Sequence, residues 1–446
     1  MRRFSWVWVL PLTMAALPAL ADATDDKIEE LEQKIKVLER KQELKDEEAA
    51  NRDKEAARVS VGRDGFAFKS ADGAYQLKIR GYIQTDGRFV ANEPGRAVND
   101  TFVVRRARPV FEATLAGRFD FRIMPDFGGG ATVLQDAYLD ARFRPTFRVR
   151  VGKFKTPFGI ERLQSATDIV FAERALPTNL VPNRDVGVQL HGELGEGLFQ
   201  YAVGVFNGVP DAGSADVDSN EGKDVAARVW FKPVKQGAAS GLGLGLAATA
   251  GSQQGTLATT GLSPYRSVSL QPFFSWRTGA TLPLTVVSAG DRTRLSPQAW
   301  YYVGPFGLLA EYVRSTQDVR LDTTDGSFDA SAWSATATWL ITGEKASYRS
   351  PTPGRPVESK SGGIGAWEIA ARYGRLTVDD DAFPVFADPA VSSSRATEAA
   401  IGLNVYLNRN VKFVLDVHHT SFEGGAAAGA DRPSETALIT RAQVAF

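Results

Sequence analysis

Basic side chains are concentrated in one stretch of this chain, between residues 101 and 155. The stretch contains eleven arginines and lysines against five acids, whereas the whole chain balances 52 basic residues against 52 acidic ones. An arginine presents a planar fork of donors that fits phosphate and carboxylate groups. The chemistry that these residue types offer is therefore attraction and guidance of anions.

These arginines fall on one face of a two-residue alternation. Apolar and polar side chains alternate over 118–126, 133–144 and 147–151. A period of two predicts strands that have one apolar and one polar face. Arg105 breaks the pattern because it shares the parity of apolar neighbours, so it requires a β-bulge or a position at a rim.

The local pattern fits two folds. A soluble β-sandwich buries the apolar face, whereas a membrane barrel turns that face to lipid and the polar face to a lumen. From residue 75 to 446 the chain gives sixteen such strands, and tight turns alternate with long polar links. The long links are predicted at 155–183, 208–222, 252–293, 317–331, 378–395 and 422–434, and 343–363 is an unexplained exception on the short-turn side. Short turns on one rim and long loops on the other are typical of outer-membrane barrels.

The energetic cost of lipid-facing arginines favours the barrel with its arginines inside. One arginine at mid-membrane on the outer face costs roughly 2–4 kcal/mol. Turning the five arginines at 122, 142, 144, 148 and 150 outward would cost about 10–20 kcal/mol, as much as a whole domain's stability. The sequence therefore predicts an all-β fold: a 16-stranded antiparallel transmembrane β-barrel over 75–446, with a short N-terminal coiled-coil helix.

The N-terminus indicates export. Arg2 and Arg3 precede an apolar run, and Ala19-Leu20-Ala21 is a small-x-small cleavage site. These features predict a signal peptide over 1–21, cut after Ala21. The expected location is the cell outer membrane of a Gram-negative bacterium.

A helix is predicted next, over 25–58, where glycine and proline are absent. Ile28, Leu31, Ile35 and Leu38 follow the spacing of a coiled-coil seam, but only two heptads are apolar. Two interpretations stay open: a short coiled coil that joins subunits, and a solvated spacer helix.

Enzymatic function has little support. The chain has no cysteine and three histidines, and it lacks metal-ligand spacing, a nucleophile elbow and a phosphate-cradling glycine loop. We therefore expect no enzyme activity, no catalytic or metal residues, no cofactor and no nucleic-acid partner.

The segment 155–184 is too long for a turn and contains four prolines and glycines that break regular structure. Within a barrel, the surface available to it is the inner wall, where it would narrow the channel.

Several motifs resemble the phosphate-selective porin O and P family. They are VRRAR at 104–108, DAYLDARF at 136–143, the segments 149–176 and 185–190, and RTRLSPQAWYYVGPFGLLAEYV at 292–313. The resemblance implies a sixteen-stranded, trimeric barrel of the Gram-negative outer membrane that passes anions such as phosphate or polyphosphate by passive diffusion past an arginine constriction. By motif it implies Arg105, Arg106 and Arg108 on the wall and Lys153, Lys155, Arg162 and Arg174 at the constriction loop. The alternation adds Arg122, Arg142, Arg148 and Arg150 to the expected anion pathway.

Two observations keep other functions open. Asp120, Asp136 and Asp140 are placed to pair with neighbouring arginines, which would leave a nearly neutral wall. Lysine is absent between Lys235 and Lys345, whereas strongly phosphate-selective members gather anions with lysines. A general, non-selective porin is the first alternative, and a structural or adhesive barrel is the second.

Overall fold

The computed structural model describes residues 19–62, 65–91, 99–218, 220–234, 236–358, 360 and 362–446. Sixteen strands of this described part form one closed antiparallel barrel, in which each strand pairs with the next and the last pairs with the first. We number them β1 Gln76–Ala91, β2 Thr101–Leu115, β3 Phe119–Asp126, β4 Val133–Arg144, β5 Phe147–Lys155, β6 Arg184–Leu194, β7 Phe199–Phe206, β8 Asp224–Phe231, β9 Leu242–Gln254, β10 Val287–Val303, β11 Phe306–Leu321, β12 Thr324–Leu340, β13 Ala366–Val378, β14 Ser393–Tyr406, β15 Val411–Gly424 and β16 Glu435–Ala445. The predicted sixteen-stranded barrel is confirmed.

The N-terminal helix α1 spans Ala19–Glu55 and belongs to a unit separate from the barrel. Ile28, Leu31, Ile35 and Leu38 are each more than half exposed in the single chain. A helix here is confirmed, and the coiled coil stays a prediction. The predicted signal peptide also stays a prediction, because residues 1–18 lie outside the described residues. No helix in the described part of the chain is long and apolar enough to cross a membrane.

A short hairpin, Arg58–Gly62 with Gly65–Lys69, precedes the barrel. Its second strand pairs with the first residues of β1, so that Phe66 lies opposite Ile79, and β16 pairs with the rest of β1. The remaining short elements are the helix α2 Ile160–Leu163, the 3₁₀ turns Leu176–Asn179, Ala238–Gly241, Leu282–Leu284, Asp380–Ala382 and Ala427–Gly429, and the paired strands Tyr265–Arg266 and Pro272–Phe274.

The two faces of the barrel wall carry opposite chemistry. On the outer face, Phe119, Leu139 and Val151 are 40%, 45% and 48% exposed. On the same strands, Arg122 and Arg150 point to the interior and contact carboxylates. The arginines therefore face the lumen, as the cost of placing them in lipid predicts.

One predicted loop is wrong. Residues 317–331 belong to β11 and β12, which meet in a two-residue turn at Asp322 and Thr323. Asp322 has φ 54°, the left-handed conformation that tight hairpins of this kind require.

The chemistry of this hairpin explains the error. Its outer face is charged, and Arg320 donates a 2.6 Å hydrogen bond to Asp325 on the neighbouring strand. Its inner face is apolar, with Val319 and Phe328 buried. This arrangement reverses the pattern of a membrane strand, because a charged outer face requires water and the inner face packs on an apolar core.

Apolar side chains fill part of the lumen on the long-loop rim. The loops 255–286 and 379–392 turn inward and join one cluster with inward residues of β9 and β11–β15 and with apolar residues of the loop 156–183. Phe273 and Phe274 are fully buried there, and the rings of Phe328 and Phe386 lie 4.9 Å apart. The larger open cavities lie instead against β1–β8.

Candidate ion pathway

The loop 156–183, between β5 and β6, folds into the lumen as predicted, and we call it the constriction loop. Two strands of the barrel, β11 and β15, hold its backbone. The amide of Ile160 donates to Oε1 of Glu311 on β11 at 2.8 Å, and the amide of Ala172 donates to Oδ2 of Asp416 on β15 at 2.6 Å. Because both acceptors are buried carboxyl groups, water does not compete for these bonds, and they fix the loop inside the lumen.

Arg105 sits at a β-bulge. Gln84 pairs with Arg106 and Thr85 pairs with Val104, so Arg105 has no partner residue on β1. The bulge turns Arg105 and Arg106 together toward the lumen, which confirms the irregularity that the parity of Arg105 required.

Glu173 of the constriction loop receives these arginines. Nε of Arg105 lies 2.7 Å from its Oε1, Arg88 donates to the same oxygen, and Nη2 of Arg106 lies 3.9 Å from Oε2. Burial disfavours the carboxylate charge, but Arg105, Arg106 and Arg88 outweigh burial and hold the pKa of Glu173 well below its usual value. Glu173 is therefore a fixed negative charge beside the pathway.

A cavity of about 530 Å³ lies between the constriction loop and β1–β6, and we call it the central cavity. Nine basic residues line it against two acids, Asp126 and Asp136. The basic residues are Arg105, Arg106, Arg108, Arg122, Arg150, Lys155, Arg162, Arg174 and Arg184. The tertiary structure thus brings eight of the eleven cations of the predicted anion pathway, together with Arg184, to one space.

Three of these cations are held by backbone carbonyls. Lys155 Nζ donates to the carbonyls of Leu163 and Gln164, Arg162 donates to that of Thr178, and Arg174 donates to those of Glu161 and Gln164. Within the described part of the chain, no carboxylate lies at ion-pair distance from any of the three. Carbonyls fix the position of a cation without cancelling its charge.

Burial acts on these loop cations. Together with neighbouring arginines, burial lowers the pKa of Arg162 to about 9 and that of Arg174 to about 10. A bound anion would relieve this mutual repulsion.

The other wall arginines are paired with acids. Arg108 lies 2.7 Å from Asp126, Arg122 lies 3.2 Å from Asp136, and Arg150 lies 2.6 Å from Asp140. The cross-strand pairing that the sequence left open is present for these side chains. Positive charge that is not offset by a paired acid is therefore concentrated at the constriction loop.

Two further cavities adjoin the central one. A lower cavity of about 600 Å³ toward the short-turn rim shares Arg150 and Lys155 with it and is also lined by Arg142, Arg148 and Arg228. An upper cavity of about 210 Å³ toward the long-loop rim shares four of its arginines and adds Arg266. The three cavities form a series of spaces from the short-turn rim to the long-loop rim.

Arg142 and Arg148 contribute to the lower cavity in paired form. Nε of Arg142 lies 2.8 Å from Asp120, and Arg148 contacts both Asp120 at 3.4 Å and Asp140 at 3.1 Å.

The structure places Lys153 elsewhere. It shares the outward parity of Val149 and Val151 on β5, and its ammonium pairs with Asp216 of the loop that follows β7. Strand alternation sends this side chain away from the central cavity, so we remove Lys153 from the proposed pathway.

Sequence reasoning missed Arg184 and Arg228. Arg184 pairs with Asp136 at 2.8 Å, and Arg228 lies 4.9 Å above the ring of Trp230. Each is the sole arginine on its strand that lines the cavities described here, so no local cluster marks it. Gly245 shapes this wall, since a Cβ there would come within 2.3 Å of Trp230.

Comparisons with known proteins identify the same family that the sequence motifs resemble. A family model described as phosphate-selective porin O and P matches residues 77–446. Porin O of Pseudomonas aeruginosa is 32% identical over 121 residues, which is 26% of this chain and 26% of that protein. The match thus spans about a quarter of that relative's length.

Solved structures share the fold at low identity. The anion-selective porin from Comamonas acidovorans is 12% identical with a TM-score of 0.54, covering 83% of this chain and 100% of that chain. The outer membrane channel DcaP of Acinetobacter baumannii is 12% identical with a TM-score of 0.54, covering 85% and 99%. Because the family model spans the barrel from its first strand to its last, this chain belongs to the phosphate-selective porin O and P family.

Proposed function

We propose that this porin forms an aqueous channel in the outer membrane for passive, anion-preferring diffusion of small solutes such as phosphate or polyphosphate. One observation carries the proposal: nine basic residues line the central cavity against two acids. A narrow path with this charge attracts anions and repels cations, since field lines are focused between low-dielectric walls.

The carbonyl-held cations support the anion preference most directly. Lys155, Arg162 and Arg174 are held by backbone carbonyls and not by acids, where the constriction loop faces the wall. An anion that loses water there gains guanidinium donors in return, and the fork geometry suits phosphate oxygens.

A general porin is the second candidate, and the paired wall supports it. Arg122, Arg142, Arg148 and Arg150 all contact aspartates, so much of the wall is nearly neutral. A channel of this kind would favour anions weakly and would not distinguish phosphate from chloride.

We further propose that the protein works as a homotrimer in outer-membrane lipid, after export and removal of residues 1–21. Outer-membrane protein OmpT of Vibrio cholerae, which shares the fold with a TM-score of 0.51, is described in a trimer form. The apolar outer face around Phe119, Leu139 and Val151 is suited to lipid or to neighbouring protomers.

The experiment is a reversal-potential measurement on the purified porin in planar bilayers with a potassium chloride gradient. We expect anions to be more permeant than cations, and cation preference would refute the proposal. Titrating phosphate into chloride then separates the two candidates, because a phosphate-preferring channel shows a concentration-dependent fall in chloride current and a general porin does not. Absence of any conductance would favour a structural or adhesive barrel.

A further inference from the structure

The first part of the connection between β12 and β13, residues 341–350, enters the barrel from the short-turn rim. The amide of Ala346 donates to the carbonyl of Gly304 at 2.8 Å, and Ala346 is buried. Two residues later, the ring of Tyr348 lies 4.6 Å from that of Trp300, a lumen-facing residue of β10. The unusual length of this connection therefore supplies a segment inside the lumen.

That segment contacts the constriction loop through four hydrogen bonds. The hydroxyl of Tyr348 donates to the carbonyl of Ile160, and Gln164 donates from Nε2 to the carbonyl of Tyr348 at 2.8 Å. Ser350 donates from its amide to Asp168 at 3.1 Å and from its hydroxyl to the carbonyl of Thr167 at 3.0 Å. All four involve the first half of the loop, which carries Arg162.

The helix α2 depends on such outside contacts. It has only four residues and no side-chain cap at its N-terminus. Its first residue, Ile160, is held on its amide by Glu311 and on its carbonyl by Tyr348. Arg162, two residues further, faces the central cavity and donates to Thr178. A helix too short to be stable alone takes its orientation from these contacts.

We infer that Tyr348 and Ser350 are positioning residues for anion selection: the segment 341–350 is a strut that holds α2 so that Arg162 faces the path. This inference rests on the proposed function. A supporting contact matters because a charged group acts on a passing ion only where packing and hydrogen bonds keep it in place. Through this strut, a connection at the short-turn rim contributes to anion selection.

The first test compares two variants in planar bilayers. Tyr348→Phe with Ser350→Ala removes two donors while keeping the aromatic ring and most of the volume. Tyr373→Phe, on the outer face and 46% exposed, is the matched control. We expect the anion-to-cation permeability ratio of the double variant to fall by roughly twofold or more and its open-channel current noise to rise, as loss of hydrogen bonds of ordinary strength implies. An unchanged ratio and unchanged noise in a correctly folded double variant would overturn the inference.

A second test uses the absence of cysteine in this chain. Thr167→Cys with Ser350→Cys places two thiols where the hydroxyl of Ser350 now reaches the backbone of residue 167. We expect the reduced form to show the lowered ratio and increased noise, and oxidation to restore the values of the unmodified porin. Oxidation to a disulfide without any restoration would contradict the strut, and this test holds even where the first double variant fails to fold.

The two proposals fail in different ways. If the unmodified porin shows no anion preference, the proposed function is wrong, and the strut is then judged on open-channel noise alone. If anion preference is present but neither variant changes ratio or noise, the strut is wrong and the proposed function stands.

Discussion

Arg105 on the barrel wall and Glu173 on the constriction loop form a two-point ion pair. Nε of Arg105 lies 2.7 Å from Oε1 of Glu173, and Nη2 lies 3.3 Å from Oε2. The pair joins the cation-rich strand β2 to the loop that crosses the lumen. It therefore sets both the local charge and the distance between loop and wall.

Replacing Glu173 by glutamine should raise anion preference and weaken the loop. The change removes a negative charge beside the path, and it leaves buried arginines without their acid. Breaking a buried ion pair from one side costs about 3–5 kcal/mol. Reversal potentials and thermal unfolding measure the two effects. Glu423→Gln, in an exposed pair with Arg395, is the control and should change stability by about 1 kcal/mol or less. Unchanged selectivity in Glu173→Gln would place this charge outside the path.

Mildly acidic pH should not reproduce the selectivity change that we expect for Glu173→Gln. The pKa of Glu173 is held well below its usual value by Arg105, Arg106 and Arg88 against the effect of burial. A carboxylate with a lowered folded pKa stabilises the protein above its unfolded pKa, and this contribution is lost only as the pH falls through the folded pKa. We therefore expect selectivity measured between pH 7 and about pH 5 to stay constant with respect to this group. An increase in anion preference over that range, absent in Glu173→Gln, would contradict the assignment.

Neutralising Arg162 and Arg174 should reduce selectivity more than neutralising Arg142. The first two are held by carbonyls at the central cavity, where solvent screening is weak. The side chain of Arg142 is 40% exposed near the short-turn rim, where water and salt screen it. We expect a severalfold drop in the anion-to-cation permeability ratio for Arg162→Gln with Arg174→Gln, and little change for Arg142→Gln. An equal effect per charge removed would mean that total charge, and not its position, sets selectivity.

An arginine placed on the outer face should destabilise the barrel according to its depth. Leu139 lies in the middle of β4 and is 45% exposed on that face. Leu139→Arg should lower the free energy of unfolding by roughly 2–4 kcal/mol, whereas Leu194→Arg, at the end of β6, should cost about 0–1 kcal/mol. Unfolding in lipid vesicles measures both. A neutral Leu139→Arg would indicate that this face meets protein or water instead of hydrocarbon.

Truncation in the lumenal apolar cluster should affect stability but not selectivity. Phe274 is fully buried, and its ring lies 5.1 Å from that of Trp276. Phe274→Ala should cost about 3–5 kcal/mol because it leaves a cavity. Phe102→Ala, at a residue 78% exposed, is the control. A large change in permeability ratio for Phe274→Ala would show that the cluster controls the position of the constriction loop, part of which belongs to it.

The amino-acid sequence by itself determined the barrel and the direction of its arginines. Strand alternation sorts Phe119 and Leu139 from Arg122 and Arg150, and the cost of a charge in lipid decides which set faces inward. It also required a bulge or a rim position at Arg105, since parity is a local property. For residues 317–331 of β11 and β12, whose outer face is charged, the same alternation rule wrongly predicted a loop.

Only the tertiary structure decided which cations keep their charge unpaired. Arg162 and Arg150 are the same residue type, yet one is held by a carbonyl and the other by Asp140 on the neighbouring strand. The contacts of Tyr348 with Ile160 join residues 188 positions apart. Such relationships depend on where barrel closure brings distant segments, and no local pattern in a strand or loop encodes them.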